Sequence, residues 1–172
     1  SGEAESQDWQ VLAPQVSGVD DGYVLNTNAA KAFQATWGSF QPTDKLFMFT
    51  QTAGDYIAYC FTNSEMLQVG SYAGNGAEDG PFISLPFKPA FVLIKSTSAK
   101  HWNMYDSSRD PFNVVKHVLY SDMTEKEYAG NDELDILSNG FKIRTTNDEI
   151  NANLTYIYLA ISEQPFKYAR GR

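Results

Sequence analysis

The chain predicts an all-β protein, an antiparallel two-sheet β-sandwich or jelly roll. Three observations carry that expectation. Apolar runs such as Phe91-Val92-Leu93-Ile94 and Tyr156-Ile157-Tyr158-Leu159-Ala160 are rich in the aromatic and β-branched residues that suit a pleated, half-buried surface. The segments between such runs carry Gly, Pro, Asn or Asp, which supply the φ angles of turns. Roughly ten of these runs fit into 172 residues with little helical patterning, and two packed sheets are the natural closure for many short strands.

The elements follow in order. Residues 1–7 are polar and read as a flexible N-terminal segment, so residues 8–172 form one β-sandwich domain. Trp9–Leu12 and Tyr23–Asn26 are short strands either side of the turn chemistry at Ser17–Gly22. Ala29–Phe33 has helical propensity but is too short to stand alone; it is one or two helical turns, or a strand imposed by context. Leu46–Thr50 and Tyr56–Phe61 read as a buried hairpin across Gln51–Asp55. Met66–Gly70 leads into the turn-rich Tyr72–Gly80, and Phe82–Leu85 is a short strand. Pro86 and Pro89 keep the bend at Phe87 out of a central ladder. Ala90–Lys95 and Trp102–Tyr105 form a hairpin, and Val114–Tyr120 is a further strand. Residues 121–135 hold six acids and one Lys and read as a solvated loop. Asn139-Gly140, the favoured type I′ pair, joins Asp135–Leu137 to Phe141–Arg144. Leu154–Ser162 is the last long strand. Phe47, Phe49, Ile57, Tyr59, Phe91, Leu93, Trp102, Ile143, Tyr156 and Tyr158 are the expected core. Their neighbours face the other side of the sheets, so a loop layer or a partner subunit should cover part of that side.

Composition excludes several roles. The formal charge of −8 disfavours nucleic-acid binding, because phosphates need a basic surface. No stretch reaches the ~20 apolar residues of a membrane helix, and none has the form of a signal peptide. Ser1-Gly2 ahead of the acidic Glu3-Ala4-Glu5 reads as an expression scar, so the natural chain is expected to extend upstream. The single cysteine, Cys60, rules out an internal disulfide and reads as a buried small hydrophobe.

One set of motifs resembles a known family. Tyr59-Cys60-Phe61, the turn Gly70-Ser71-Tyr72-Ala73-Gly74-Asn75-Gly76, the strand Phe87-Lys88-Pro89-Ala90-Phe91-Val92-Leu93-Ile94-Lys95, Trp102 to Tyr105-Asp106, and Tyr156-Ile157-Tyr158 with Glu163-Gln164-Pro165-Phe166-Lys167 resemble a domain of unknown function found in bacteriophage tail-fibre and related virion proteins. One departure is Leu85-Pro86 ahead of Phe87, where that pattern has Gly. The likeness covers about two-thirds of the chain and leaves out residues 1–45. It implies a lectin-like β-sandwich of the concanavalin A or laminin-G type. It also implies a setting: a receptor-binding domain of a tail fibre or spike, in the virion and extracellular at the host surface. The implied partners are host polysaccharide or lipopolysaccharide, other virion proteins, and two further copies in a homotrimer. It assigns no catalytic residue.

The residues themselves favour binding over catalysis. No nucleophile motif, P-loop or zinc spacing occurs. The carboxylate pairs Glu78/Asp79, Asp106/Asp110 and Glu133/Asp135 have the chemistry of a glycosidase only if their side chains face each other, and in an acidic chain they read as solvated loops. His101 and His117 read as surface residues of strands. Asn75, Glu78 and Asp79 offer oxygens to Ca²⁺, but a tight turn with φ > 0 glycines is the simpler reading, so no metal and no cofactor are expected. Trp102, Tyr105, Asp106 and Arg109 form the best binding constellation, with an aromatic face for a sugar ring and polar groups for its hydroxyls. A regular strand puts Trp102 and Tyr105 on opposite faces, which favours Trp102 in the core and Tyr105 at the strand end. The candidate ligand residues are therefore Tyr72, Asn75, Asp79, Tyr105, Asp106 and Arg109, on turns expected to cluster at one end of the sandwich. The expected function is glycan attachment without enzymatic activity. The rivals are a structural virion or trimer-capping domain and a polysaccharide depolymerase. The tail Pro165 to Arg172, basic with two aromatics, reads as a segment for docking on a neighbouring subunit's acidic surface or as a frayed end.

Overall fold

A computed structural model of the protein describes residues 9–12, 21–30, 32–33 and 57–164. The expected strand at Leu46–Thr50, the core positions Phe47 and Phe49, the start of the partner strand at Tyr56, residues 1–7 and the tail from Pro165 lie outside the described residues.

The fold is all-β and antiparallel. Eight strands form one sheet in the order β4-β11-β6-β7-β8-β9-β10-β5. They are β4 (Leu67–Ala73), β5 (Phe82–Ser84), β6 (Pro89–Ser96), β7 (Trp102–Asp106), β8 (Val115–Tyr120), β9 (Tyr128–Leu137), β10 (Gly140–Ile143) and β11 (Thr155–Ser162). A smaller sheet holds β1 (Gln10–Leu12), β2 (Asp21–Val24) and β3 (Ala32–Phe33). One short helix, α1 (Asp148–Asn151), sits between β10 and β11.

The large sheet curls until it is nearly barrel-shaped. Its outlying strands meet across the interior: Tyr72 on β4 packs edge-on to Phe141 on β10, with ring centroids 6.3 Å apart. Phe141 in turn meets Tyr158 on β11 at 5.6 Å. Alternation does the sorting. On β6, Val92 and Ile94 point inward and are fully buried. They join Tyr105, Leu134, Phe141, Ile143, Tyr156 and Ala160 in one core. Leu93 and Lys95 point to the outer face. There Tyr23, Trp102 and Ile157 make a second, smaller cluster. The small sheet is the layer that covers this face: Tyr23 packs edge-on to Trp102 at 6.0 Å, and Trp102 Nε1 donates to Val24 O at 2.9 Å.

Several expectations need correction. Ile57, Tyr59 and Cys60 are exposed, Ile57 at 80%, and residues 57–63 have no regular structure. An apolar run is compatible with burial but does not supply the ladder partner that burial requires. Of the two readings of Ala29–Phe33, the strand imposed by context holds, with Ala32–Phe33 paired to β2. Residues 128–135 are not loop but the first part of β9. The hairpin turn is Ser138–Asn139, and Gly140 opens β10, paired with Leu137. Gly140 is needed there at φ +144°, and a Cβ would meet Ile83 O of β5 at 2.0 Å. Phe91, Leu93 and Tyr158 are half-buried, whereas Trp102, Ile143 and Tyr156 are buried. Among the described residues no helix is long and apolar enough to cross a membrane.

Candidate functional site

The register of the strands decides which loops can act together. Ala73 lies opposite Thr155, and Lys95 opposite Trp102, so the β4–β5 and β6–β7 connections leave one end of the sheet. The β8–β9 connection and the segment around α1 leave that same end, because Tyr120 pairs with Asn103. Phe91 lies opposite Asp106, so the β7–β8 connection leaves the other end. The expected cluster is therefore corrected: the 74–80 turn and the Asp106–Arg109 turn sit at opposite ends of the strands.

Two of the six candidate ligand residues are core residues. Tyr105 is fully buried on the inner face, and burial with the nearby Glu133 charge raises its pKa well above the usual tyrosine value. Tyr72 is also buried, stacked on Tyr156 at 5.1 Å, and its hydroxyl donates to Ile150 O at 2.7 Å. Neither ring has a face for a sugar. The pleat required only that Tyr105 oppose Trp102; the small sheet lets both be buried.

The other four build turns. Asn75 Oδ1 accepts from Ala77 N at 3.0 Å, and its Nδ2 donates to Asp79 O at 2.9 Å. Asp79 is exposed and pairs with Lys142 at 2.7 Å, which lowers its pKa through that hydrogen bond and charge. Asp106 Oδ1 accepts from Ser108 N at 3.0 Å and Arg109 N at 2.9 Å. Burial opposes its charge, but Arg109 and these amides outweigh burial and hold its pKa low. Arg109 pairs with the Asp106 carboxylate through Nε, reaches Glu127 Oε1 at 3.0 Å and donates to Met104 O at 2.9 Å. Each of its three guanidinium nitrogens bonds within the chain, so it acts as a brace.

Asn151 is a residue that sequence reasoning missed. Fully buried at the end of α1, it donates to Ala77 O at 2.8 Å and Thr145 O at 2.7 Å and accepts from Asn75 N at 3.0 Å. It ties the 74–80 turn to α1. Gly74 beside it is forced by close approach, since a Cβ would meet Ala152 O at 2.1 Å.

The brace at Arg109 points to the site with the chemistry for a ligand. Glu127 belongs to a cavity of about 240 Å³ lined by Tyr120, Met123, Glu125, Lys126, Glu127 and Tyr128. Tyr128 is 58% exposed and Tyr120 half-buried. Burial, then the charges of Glu149 and Glu133, push the Tyr120 hydroxyl up to about 12, so it stays protonated and able to donate. Beneath this cavity the end of the sheet is polar. His101 Nδ1 lies 2.7 Å from Asp122 Oδ2, and His101 N donates to Glu149 Oε2 at 2.8 Å. Glu133 is buried, and its carboxylate takes two 3.3 Å contacts from Asn147 Nδ2. Burial raises its pKa, and Glu149 adds to the rise. The only sequence signal for this pocket was Tyr128 inside the acidic run, which the loop reading concealed.

Fold and site define an all-β protein whose loop-borne pocket combines tyrosine faces with carboxylate and ammonium groups. Residues 1–165 match the family described as a domain of unknown function (DUF7483), and the chain belongs to that family. No curated protein and no solved structure matches the chain.

Proposed function

We propose that this chain is a glycan-binding attachment domain whose ligand occupies the pocket between Tyr120 and Tyr128. The observation that carries the reading is the pairing of two tyrosines, one exposed, with Glu125 and Lys126 around one shallow cavity. Tyrosine rings stack on the apolar faces of sugars, and carboxylate and ammonium groups bond their hydroxyls. Arg109 contributes from outside the pocket by fixing Glu127.

The resemblance to tail-fibre domains extends the proposal to its setting: a bacteriophage fibre or spike, carried as a homotrimer at the host surface among other virion proteins. In that reading the curled sheet is a lectin-like two-layer sandwich. One layer is β4, β11, β6 and β7, the other β9, β10 and β5, and β8 joins them. Linked copies raise the effective concentration of weak single sites. The proposal includes no catalysis.

The test is direct titration of the chain with host capsular polysaccharide and lipopolysaccharide by calorimetry. Tyr128→Ala should weaken binding at least about tenfold and leave the melting temperature unchanged, because the ring is largely exposed. Absence of binding to either polymer, or unchanged binding by the variant, overturns the site. New reducing ends during incubation move the reading to a depolymerase.

A further inference from the structure

Around the pocket of Tyr120 and Tyr128, acceptors and negative charge outnumber donors and positive charge. On the rim, Glu125 and Lys126 carry opposite charges and both are exposed. Beneath the rim the balance tips. The Tyr120 hydroxyl is kept protonated by burial and then by the charges of Glu149 and Glu133, so these carboxylates bear on the pocket. Glu149 accepts from His101 N at 2.8 Å, and Glu133 takes its contacts from Asn147 Nδ2 at 3.3 Å. Both donors are neutral amides. The basic groups of this region are engaged elsewhere. Lys95 donates to Ser96 O and Ser98 O, Lys100 pairs with Asp148, and Arg109 is spent on Asp106, Glu127 and Met104 O. His101 Nδ1 lies on Asp122. Asn103, opposite Tyr120 in the β7–β8 register, is fully buried, and its Oδ1 accepts from no donor among the described residues.

A ligand group that fits such surroundings donates hydrogen bonds and carries positive charge. An ammonium has three donors and no acceptor, and it gains further from the face of a tyrosine ring. A uronate, sulfate or phosphate brings acceptors to acceptors, and the formal charge of −8 repels a polyanion at longer range. The cavity of about 240 Å³ is smaller than the roughly 300–1,000 Å³ of pockets for drug-sized ligands, so it seats one ring rather than a chain. We propose that the pocket selects an amino sugar with its amine free and protonated, the ammonium held between the tyrosine rings and the carboxylates of Glu133 and Glu149. The inference rests on the glycan reading of this pocket and names the class of sugar it takes.

Calorimetry of the full chain with a glucosamine hexamer, the same hexamer N-acetylated, and a galacturonate hexamer tests the proposal. The free-amine hexamer should bind at least about tenfold tighter than the N-acetylated one, and galacturonate should bind weakest. Two variants read the charge, with melting curves as the folding control. Glu149→Gln keeps an oxygen for His101 N and should cut the preference for the amine about two- to fivefold. Lys126→Ala removes the cation of the rim and should raise that preference by a similar factor. Equal binding of the amine and N-acetylated hexamers, both lost in Tyr128→Ala, overturns the amine inference and leaves the glycan pocket standing. Amine binding that survives Tyr128→Ala is attraction to an acidic surface and overturns the inference. So does a preference that neither charge variant moves, tighter binding of galacturonate, or no binding of the amine hexamer. The pocket itself is judged separately, by the polysaccharide titration.

Discussion

The two faces of the large sheet bury their side chains by different means. The inner face seals itself, because the sheet curls until β4 and β10 touch through Tyr72 and Phe141. The outer face depends on a separate element. Tyr23 of the small sheet covers Trp102 and Ile157, and two side chains tether it: Trp102 to Val24 O and Ser121 Oγ to Leu25 O, both at 2.9 Å. The same strands feed both faces, residue by residue. The inner face is thus the core of the fold, whereas the outer face is an interface within one chain. Buried Glu133 lies near Tyr105, and buried Lys95 lies beneath Tyr23 on the outer face.

Cavity-forming substitutions should separate the two faces most sharply. Phe141→Ala removes a fully buried ring that touches strands from both sides of the curl. It should lower unfolding free energy by about 3–5 kcal/mol. Trp102→Ala should cost about 2–3 kcal/mol, because the small sheet can settle into the space. It should also speed amide exchange in β1 and β2 while β6 and β11 stay protected. Urea denaturation with hydrogen-exchange mass spectrometry measures both. Equal losses and uniform exchange would mean that the two faces form one cooperative core.

How much of this was legible follows from the same contrast. Strands β6, β7, β10 and β11 stood out because alternating apolar residues and turn chemistry coincide there. The pleat gave the opposition of Trp102 and Tyr105. It did not tell that both sides are covered, since the cover comes from Tyr23, some 80 positions away in sequence. Loop ends were legible in principle: in an antiparallel sheet successive connections alternate ends, and the loops after β4 and β7 are three connections apart. Asn75, Asp79, Asp106 and Arg109 were readable as turn residues, but not as parts of one site. The pocket at Tyr120 and Tyr128 was hidden because the β8–β9 pairing shifts register between Val115 and His117, and the acidic segment then reads as loop.

The buried charge on the outer face gives the next effect in size. Lys95 Nζ is fully enclosed and donates to Ser96 O at 2.9 Å and Ser98 O at 2.8 Å. Burial lowers its pKa to about 8, with Asp122 and Glu149 opposing the drop. A lysine whose pKa is depressed by folding is protonated first in the unfolded chain, so stability rises with pH between the folded and unfolded values. From pH 8 to 9.5 the gain should be about 1.5 kcal/mol, and Lys95→Met should flatten it. Above pH 10 the trend must reverse. Tyr72, Tyr105, Tyr120, Tyr156 and Tyr158 all have raised pKa values, so their unfolded forms lose protons first. Urea midpoints at half-unit pH steps give the curve, and a flat wild-type profile would remove Lys95 from the account.

Glu133 should give the smallest effect, with the opposite sign. Its pKa is raised by burial and by Glu149, while the hydrogen bond from Asn147 works the other way. The fold therefore favours the protonated acid. Its favourable contribution is complete below the unfolded pKa and is lost as pH rises through the folded value, leaving a cost at neutrality. Glu133→Gln keeps an oxygen for Asn147 and removes the charge, so it should stabilise the chain at pH 7 by about 1 kcal/mol. The difference should shrink as pH falls below the unfolded value of about 4.3, where the carboxyl becomes neutral in both states. Loss of stability at pH 7 would mean that the ionised carboxylate is held by more than the two long contacts from Asn147. If the proposed glycan site is right, an acid held at a net cost near the tyrosine pocket would be retained for the ligand rather than for stability. Glu133→Gln should therefore also weaken glycan binding at that pocket; a variant that is both more stable and equally competent would separate the buried acid from the ligand.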